Sequence, residues 1–586
     1  MAKNNKTDLE TLRHSTAHIL ATAVLEMFPE AKFGMGPAIE NGFYYDFELP
    51  RTLIPEDLPL LEEKMKAIIK ANHKFEQAEI SAKEAKSDFK KLQQTYKLEL
   101  IDDLEKENQK ICIYKADYFV DLCAGPHIES TGEVNPEAFK LTKISSAYWK
   151  GDEKNPQLQR IYGVAFETKK ELDEYLQMIA EAEKRDHRKI GKELGLFIFS
   201  DLIGPGLPVY TPKGTIILRE IQNYSNDLRK AIDYKEVHTP QINKASLFKK
   251  SGHYDKYKDD MFRVISNHTK EEYFLKPMSC PQHTQIFAAE MHSYKDLPVR
   301  IADFANLYRD EKPGQLSGLT RLRGFSQDDG HCFCREDQIG LEFMAVLLQV
   351  KEAMKTYGMN YYIRLSLRDE KEKDKYLGSD EIWKKSQLIL EDCLKENGVD
   401  YIKAEGEAAF YGPKMDLIAK DSIGREWQLS TIQLDFNMPE RFGLKYVAAG
   451  GQKLTPVMIH SALIGSPERF LGILIEHYAG IFPTWLSPTQ VMIIPISEIK
   501  NSLYAIDVKH KLIKIGIRAE VDLSKESLGK RIREAEKQKI PYMLVVGEKE
   551  MQSDSVAVRS RDDKNQTVLK LDEFVEKIKK EIEEKK

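Results

Sequence analysis

The chain has 586 residues and a mass of 67.5 kDa, too long for one hydrophobic core, so three or four domains are expected. An apolar fraction of 41% beside 31% charged residues excludes collagen-like, disordered and disulfide-scaffold classes. The net charge of -5 makes any polyanion contact local, and the 21 basic against 18 acidic residues from 487 on point to the C-terminal end for a nucleic-acid contact. The start, Met1-Ala2-Lys3-Asn4-Asn5-Lys6, is followed by no apolar stretch of signal-peptide length. No apolar run reaches the roughly 18 residues that span a bilayer. The six cysteines are sparse. A cytoplasmic protein with reduced thiols and no membrane contact is expected.

In residues 1–167 a helix from Leu9 carries His14 and His18 on one face, because positions four apart stack along a helix. Gly34-Met35-Gly36-Pro37 and Asn41-Gly42 signal turns before the strand-like Phe43-Tyr44-Tyr45-Asp46-Phe47. Residues 168–194 are highly charged, with Leu172, Tyr175, Leu176 and Ile179 at helical spacing and no proline, which predicts a long connecting helix. Residues 195–486 alternate strand-like runs (Val299–Phe304, Pro456–His460) with loops rich in Gly, Asp and Arg. In residues 487–586 short apolar strands at Val491–Ile494, Ile517–Val521 and Met543–Gly547 alternate with amphipathic helices, an α/β pattern.

The most informative stretch runs from Arg309-Asp310-Glu311 to Arg321-Leu322-Arg323-Gly324-Phe325-Ser326-Gln327-Asp328-Asp329-Gly330-His331. Arg309 and Glu311, two apart on a strand, would share a face, and a Gly/Ser-rich loop leads to a second polar strand. Arginines converging there suit a triphosphate, since a guanidinium forks onto phosphate oxygens. An exposed salt-bridged hairpin fits the pattern equally well. No Gly-x-x-x-x-Gly-Lys-Ser/Thr run is present, which excludes a Walker-type phosphate loop.

Arg309-x-Glu311, the His331 strand and Gly465-Ser466-Pro467-Glu468-Arg469-Phe470 resemble the second and third motifs of class II aminoacyl-tRNA synthetases. Val237-His238-Thr239-Pro240 resembles the first, whose proline sits near a dimer interface, so a homodimer is expected. Lys276-Pro277-Met278-Ser279-Cys280-Pro281, Ala409-Phe410-Tyr411-Gly412-Pro413-Lys414 and Thr431-Ile432-Gln433-Leu434-Asp435-Phe436 resemble the threonyl-specific branch, and the similarity runs end to end.

The resemblance implies an α+β multidomain chain: an editing domain (1–167), a linker helix (168–194), a class II antiparallel-sheet catalytic domain (195–486) and an α/β anticodon-binding domain (487–586). It implies a ligase that joins threonine to tRNA(Thr) at the expense of ATP. Arg309 and Arg469 would take ATP phosphates, and Arg321, Arg323, Thr431 and Ser466 would bind substrate. Glu311 would lie near adenine and the adenylate. Gln327, Asp329, Tyr411 and Gln433 would lie close to threonine, and Lys414 and Gln428 beside the reactive carboxylate or the adenylate. Mg²⁺ would accompany ATP. Gly330 stands where the family carries alanine and Ser430 where it carries glycine, both read as small-for-small exchanges.

Cys280, His331 and His460 lie 51 and 129 residues apart, no zinc-finger spacing, and taken alone they fit a buried cysteine and two core histidines. The resemblance makes them ligands of a catalytic Zn²⁺ with one coordination position open. Threonine can chelate through its amino group and hydroxyl, whereas valine has no hydroxyl to offer. Serine has the same pair, and one methyl is worth only about 1–3 kcal/mol, so a second sieve is expected.

The first domain supplies one. His14-x-x-x-His18 with Cys123-x-x-x-His127 reads unaided as a four-ligand zinc site. In threonyl enzymes the resemblance implies instead metal-free hydrolysis of mischarged seryl-tRNA by His14, His18, Lys97, Asp121, Cys123 and His127. The related alanyl enzymes bind zinc with the same quartet. In the last domain Lys539, Glu550 and Arg559 fall where the family touches anticodon bases, although Lys537 and Lys539 also fit a solvated helix face. Only 13 residues precede His14, so the small ubiquitin-like domain that opens many bacterial relatives is expected to be missing. A zinc hydrolase on an RNA-binding scaffold, a retired paralogue and a seryl or prolyl ligase are the rival readings.

Overall fold

The computed structural model describes residues 5–563 and 565–586. The chain forms two compact units, one ending at Ala180 and one beginning at Glu181. Among the described residues no helix is long and apolar enough to cross a membrane.

The first unit is α+β. Its long helix Asn5–Met27 buries Ala17, Leu20, Ala21 and Val24 against an antiparallel sheet ordered Lys32–Phe33, Gly42–Glu48, Gln157–Ala165, Phe139–Tyr148. Phe43, Tyr45, Phe47 and Ile161 meet the helix, and Asp57–Ala71 adds Leu61 and Met65. A second sheet of Phe75–Glu79, Cys112–Ala116 and Phe119–Leu122 carries Asp121.

The expected single helix over 168–194 is two helices, Lys169–Lys184 and His187–Glu193. The break falls at Asp186, whose carboxylate accepts from the Arg188 N–H at 2.8 Å. A side-chain cap of this kind starts a new helix by giving one of its first N–H groups, which have no intrahelical acceptor, an oxygen to donate to.

The second unit is built on an eight-stranded sheet ordered Lys235–Glu236, Val299–Tyr308, Gly324–Cys334, Val457–Ala462, Glu426–Asp435, Lys414–Lys420, Asn360–Leu367, Ile402–Glu405. All pairings are antiparallel except the outermost at each end. Helices Pro212–Lys230, Ile339–Thr356 and Pro467–His477 cover one face around Ile217, Phe343, Val346, Phe470 and Leu474. The other face keeps its polar side chains. Residues from Val491 on form a five-stranded sheet, parallel at Val491–Pro495 with Ala519–Val521 and Tyr542–Val546, then antiparallel through Ser555–Ser560 and Gln566–Lys570. Class II-type antiparallel core, α+β first unit and α/β C-terminal sheet agree with the expected fold class.

Under the covered face, Arg229 and Asp328 form an ion pair at 3.0 Å, each side chain 2% exposed. Asp328 also accepts from the Ser225 hydroxyl at 2.9 Å and the Leu463 N–H at 2.7 Å. Asp328→Ala leaves a buried guanidinium unpaired, so the unfolding free energy should drop by about 3–5 kcal/mol in urea titrations. A loss below about 1 kcal/mol would show that the pair is not what holds this junction.

The two departures from the family pattern sit beside that pair. A Cβ at Gly330 would lie 2.2 Å from Nη1 of Arg229, so alanine there requires the guanidinium to shift. Ser430 is buried and its hydroxyl donates to the Leu463 carbonyl. The Gly330 exchange is therefore not sterically silent in this chain, and serine at 430 brings a buried hydrogen bond that glycine could not make.

Candidate functional site

Strand alternation builds the site. In Gly324–Cys334 successive side chains point to opposite faces, so Phe325, Gln327, Asp329 and His331 share the open face while Asp328 turns to the helices. Register then sets a row across four neighbouring strands: His331 opposite His460, His460 opposite Gln433, Gln433 opposite Lys414. Thr431 keeps that register opposite Asp416, and a bulge between Leu417 and Ile418 then shifts it, so that Ser430 pairs with Leu417 but Gln428 with Ile418.

One end of this face opens into a cavity of about 740 Å³. Arg309, Glu311, Arg321, Gln327, Gln428, Thr431, Ser466 and Arg469 all line it. Arg309 and Glu311 do not lie on a strand as the spacing implied: the strand ends at Tyr308. The Glu311 N–H turns back to the Arg309 carbonyl at 2.8 Å, and that tight turn breaks the ladder. The turn still leaves both side chains on the cavity. Glu311 pairs with Arg321 at 2.8 Å. Arg323 lies outside the lining, its guanidinium donating to the Glu311 carbonyl at 2.8 and 3.0 Å.

The two remaining arginines differ. Among the described residues no carboxylate pairs with Arg309 or Arg469, and burial pulls both below the ordinary arginine range. Arg309 stacks 5.2 Å from the Phe325 ring, and Arg469 lies 6.0 Å from the Trp427 ring. Ser466 caps the helix Pro467–His477 by accepting from the Arg469 N–H, which directs that side chain from the first turn. Two cations that no carboxylate among the described residues neutralises, on one concave wall, can hold an anion.

Farther along the face, Cys280, His331 and His460 gather with ligand atoms within 4.8 Å of one another, all three buried. Burial pushes the Cys280 thiol well above its usual range and His331 well below. His331 Nε2 lies 3.0 Å from His460 Nδ1. The far ring nitrogens are taken: His460 Nε2 lies 3.0 Å from Asp435, and His331 Nδ1 lies 2.6 Å from His283 Nδ1. Two oriented imidazoles and a buried thiol, their inner atoms converging and their outer nitrogens held by hydrogen bonds, are a donor set compatible with zinc. Asp329, held by Ser279, lies 3.8 Å from His331 Nε2. Tyr411 stacks on His460 at 4.7 Å and donates to Gln433 at 2.5 Å. Lys414 and Gln428 do not point apart: both bond Asp416, each at 2.8 Å.

In the first unit His14, His18, Cys123 and His127 also converge within 4.8 Å. Cys123 Sγ lies 3.4 Å from His14 Nε2 and 3.3 Å from His127 Nε2. Asp121 forms an ion pair with Lys97 at 2.5 Å and accepts from the Tyr45 hydroxyl at 2.5 Å, with His18 at 3.6 Å. Burial raises the Cys123 thiol to about 11 and holds His127 down to about 2. His14, His18, Lys97, Asp121 and Cys123 line one cavity of about 430 Å³.

The anticodon candidates each bond elsewhere in the last domain. Glu550 accepts from the Gly547 N–H at 2.9 Å, Arg559 pairs with Glu536 at 3.0 Å, and the Lys539 carbonyl accepts from Arg561. Among the described residues no hydrogen bond or ion pair joins the three to one another. Sequence reasoning missed Phe325, Trp427, Asp435 and His283. The i, i+2 spacing from Phe325 to Gln327 could have found the first; the others depend on pairings that sequence spacing does not encode.

The tRNA synthetase class II core domain of the G, H, P, S and T enzymes matches residues 262–478. The anticodon binding domain matches 490–581, and the threonyl and alanyl tRNA synthetase second additional domain matches 111–162. A threonine–tRNA ligase of Oceanobacillus iheyensis is 46% identical over 585 residues, covering 100% of this chain and 90% of its own length. One of Gloeobacter violaceus is 48% identical, covering 97% and 91%. The solved RNA binding domain of threonyl-tRNA synthetase from Cryptosporidium parvum Iowa II superposes with a TM-score of 0.65 at 37% identity, covering 67% of this chain and 98% of its own. With identity at this level over the full chain, and all three domain families in their places, the protein belongs to the threonyl-tRNA synthetase family of class II.

Proposed function

We propose that the protein activates threonine with ATP, transfers it to the 3′-terminal ribose of tRNA(Thr), and hydrolyses seryl-tRNA(Thr) formed in error. The observation that carries the synthetic reading is the pair of unpartnered arginines, Arg309 and Arg469, on a cavity that shares its sheet face with Cys280, His331 and His460. The threonine carboxylate attacks the α-phosphate, the bond to pyrophosphate breaks, and the tRNA hydroxyl then displaces AMP from the adenylate. Arg309 and Arg469 hold charge that grows on the phosphates, an electrostatic task that needs no covalent enzyme intermediate. Mg²⁺ would travel with ATP as its counter-charge.

Cys280, His331 and His460 would hold Zn²⁺, which supplies a Lewis-acidic centre for the amino and hydroxyl groups of threonine. Asp435 and His283 fix the ring orientations, and Tyr411 and Gln433 close the wall beside His460. Lys414 and Gln428, both bonded to Asp416, offer donors toward the reactive carboxylate. Two chains would associate through the segment before Pro240, and Lys539, Glu550 and Arg559 would meet anticodon bases. A cytoplasmic location accords with tRNA as substrate. Threonine-dependent ATP–pyrophosphate exchange, run beside valine and serine, tests the reading: strong exchange with threonine, some with serine and none with valine is expected. No exchange with any of the three, in a folded protein, would sink it.

The editing half rests on the His14–His18–Cys123–His127 cluster beside the Lys97–Asp121 pair, where the side chains position a water and the 2′-hydroxyl near the ester, without metal. His14→Ala should slow deacylation of preformed seryl-tRNA(Thr) by about 10²–10⁴-fold, the range of a lost acid–base or water-positioning group. Threonine-dependent exchange should be unchanged, and a chelator should not slow the wild-type deacylation. Undiminished deacylation by the variant would remove the cluster from the reaction.

A further inference from the structure

Asp186, His187 and Glu476 also gather within metal-ligand distance. Both ring nitrogens of His187 are already engaged. Nδ1 donates to Glu476 Oε1 at 2.5 Å, and Nε2 accepts from the backbone N–H of Leu319 at 2.9 Å. The Asp186 carboxylate holds Arg188. A cation there would have to break both imidazole bonds, so the cluster has a different role.

Leu319 lies in the segment 309–323 that forms one wall of the ATP-side cavity, with Ser317, Thr320 and Arg321 lining it alongside. Ser317 and Arg321 bond each other's backbones at 3.2 Å, closing a tight loop around Gly318 and Leu319. Leu319 is fully buried. Gly318 has φ +48°, and a Cβ there would fall 2.1 Å from His187 Nε2. The imidazole therefore lies directly beneath the loop. From the other side Gly472 allows close approach: its Cβ would come 3.1 Å from Leu319 Cβ and 3.6 Å from His187 Cδ2.

Glu476 belongs to the helix Pro467–His477, whose first turn carries Arg469 seven residues earlier. The same carboxylate accepts from the His187 backbone N–H at 3.0 Å and pairs with Arg425. Arg425 bonds Asp421 at 2.7 Å and lies 5.3 Å from the ring of Trp427, which also lines the cavity. Glu476 is held below the usual carboxylate range by His187 and Arg425 in spite of its burial.

We infer that His187 is a positioning residue for ATP: through Glu476 and the Leu319 N–H it locks the loop that presents Arg321 to the helix that presents Arg469. It touches no substrate. Its ring sets the separation of two walls of the phosphate cavity, the loop and the helix, while Cys280, His331 and His460 sit on elements the clamp does not join: the helix Cys280–Ala288 and the strands Gly324–Cys334 and Val457–Ala462. The consequence is a split between the substrates. Loosening the clamp weakens ATP and spares threonine.

The inference rests on the threonine-activation reading, and hydrogen exchange separates the two. In His187→Ala, peptides spanning residues 314–323 should exchange about tenfold faster, the scale of one lost backbone hydrogen bond. KM for ATP in threonine-dependent exchange should rise about tenfold with kcat within about threefold, and threonine affinity by calorimetry should stay within about twofold. His187→Gln, whose amide oxygen can accept from Leu319, should recover most of the loss. Unchanged exchange in 314–323 together with an unchanged ATP KM would overturn the inference, as would an equal loss for ATP and threonine, the mark of general loosening. If His187→Ala fails to fold, Glu476→Gln is read by the same criteria: a selective rise in the ATP KM supports the clamp, and an equal or absent effect refutes it. An absence of exchange activity in the wild type would strike the functional reading alone, since protection of 314–323 by His187 is measured without turnover.

Discussion

Arg309→Ala should lower kcat/KM for threonine-dependent pyrophosphate exchange by about 10³-fold, the cost of removing a preorganised charge from a developing phosphate anion. Arg309 has no carboxylate partner among the described residues, and burial already opposes its charge. Such a group is destabilising in the free protein and useful only when an anion arrives. Phe325, 5.2 Å away, holds the guanidinium plane without neutralising it. Arg309→Lys keeps the charge and loses the planar fork, so an intermediate defect of about 10²-fold is expected. Arg321→Ala should cost less, because Arg321 is half exposed and already spends its charge on Glu311 at 2.8 Å. Equal effects at Arg309 and Arg321 in steady-state assays would contradict this ranking.

The order of the domains and the residue types of both centres were legible because they are local: a helix face carrying His14 and His18, an alternating strand carrying Gln327, Asp329 and His331, a capped helix beginning at Ser466. What joins them was not. His331 meets His460 and His460 meets Gln433 through register across strands more than a hundred residues apart in part, which a sequence pattern does not record. The strand ending at Tyr308 and the helix break at Asp186 each turn on a single backbone or cap bond. The Gly330 exchange illustrates the same limit. Small-for-small is a statement about volume, and only the position of Arg229 reveals that the missing methyl is where a guanidinium lies.

Cys280→Ser carries the second large expected effect. Serine matches cysteine in size, so packing around Phe287 and Phe410 should hold, while the buried thiolate donor disappears. A thiol that burial and the nearby Asp329 and Asp435 carboxylates push well above its ordinary range stays protonated; a bound cation gives the thiolate a reason to form there. Wild type should carry about one zinc per chain by elemental analysis and the variant little or none. Threonine-dependent exchange should fall by at least about 10²-fold, and the preference for threonine over valine should fall with it, since a pocket of hydrocarbon alone separates an added hydroxyl by only about 10². Asp435→Asn should be milder, weakening metal retention about 10–100-fold, because Asp435 holds the far nitrogen of His460 at 3.0 Å and donates nothing to the metal itself. Cobalt substitution gives a readout independent of catalysis: the thiolate-to-metal absorption band should be present in wild type and absent in Cys280→Ser. A variant that keeps both its zinc and its choice of threonine over valine would show that selection lies elsewhere on this face, with Tyr411 and Gln433 the residues then left to provide it.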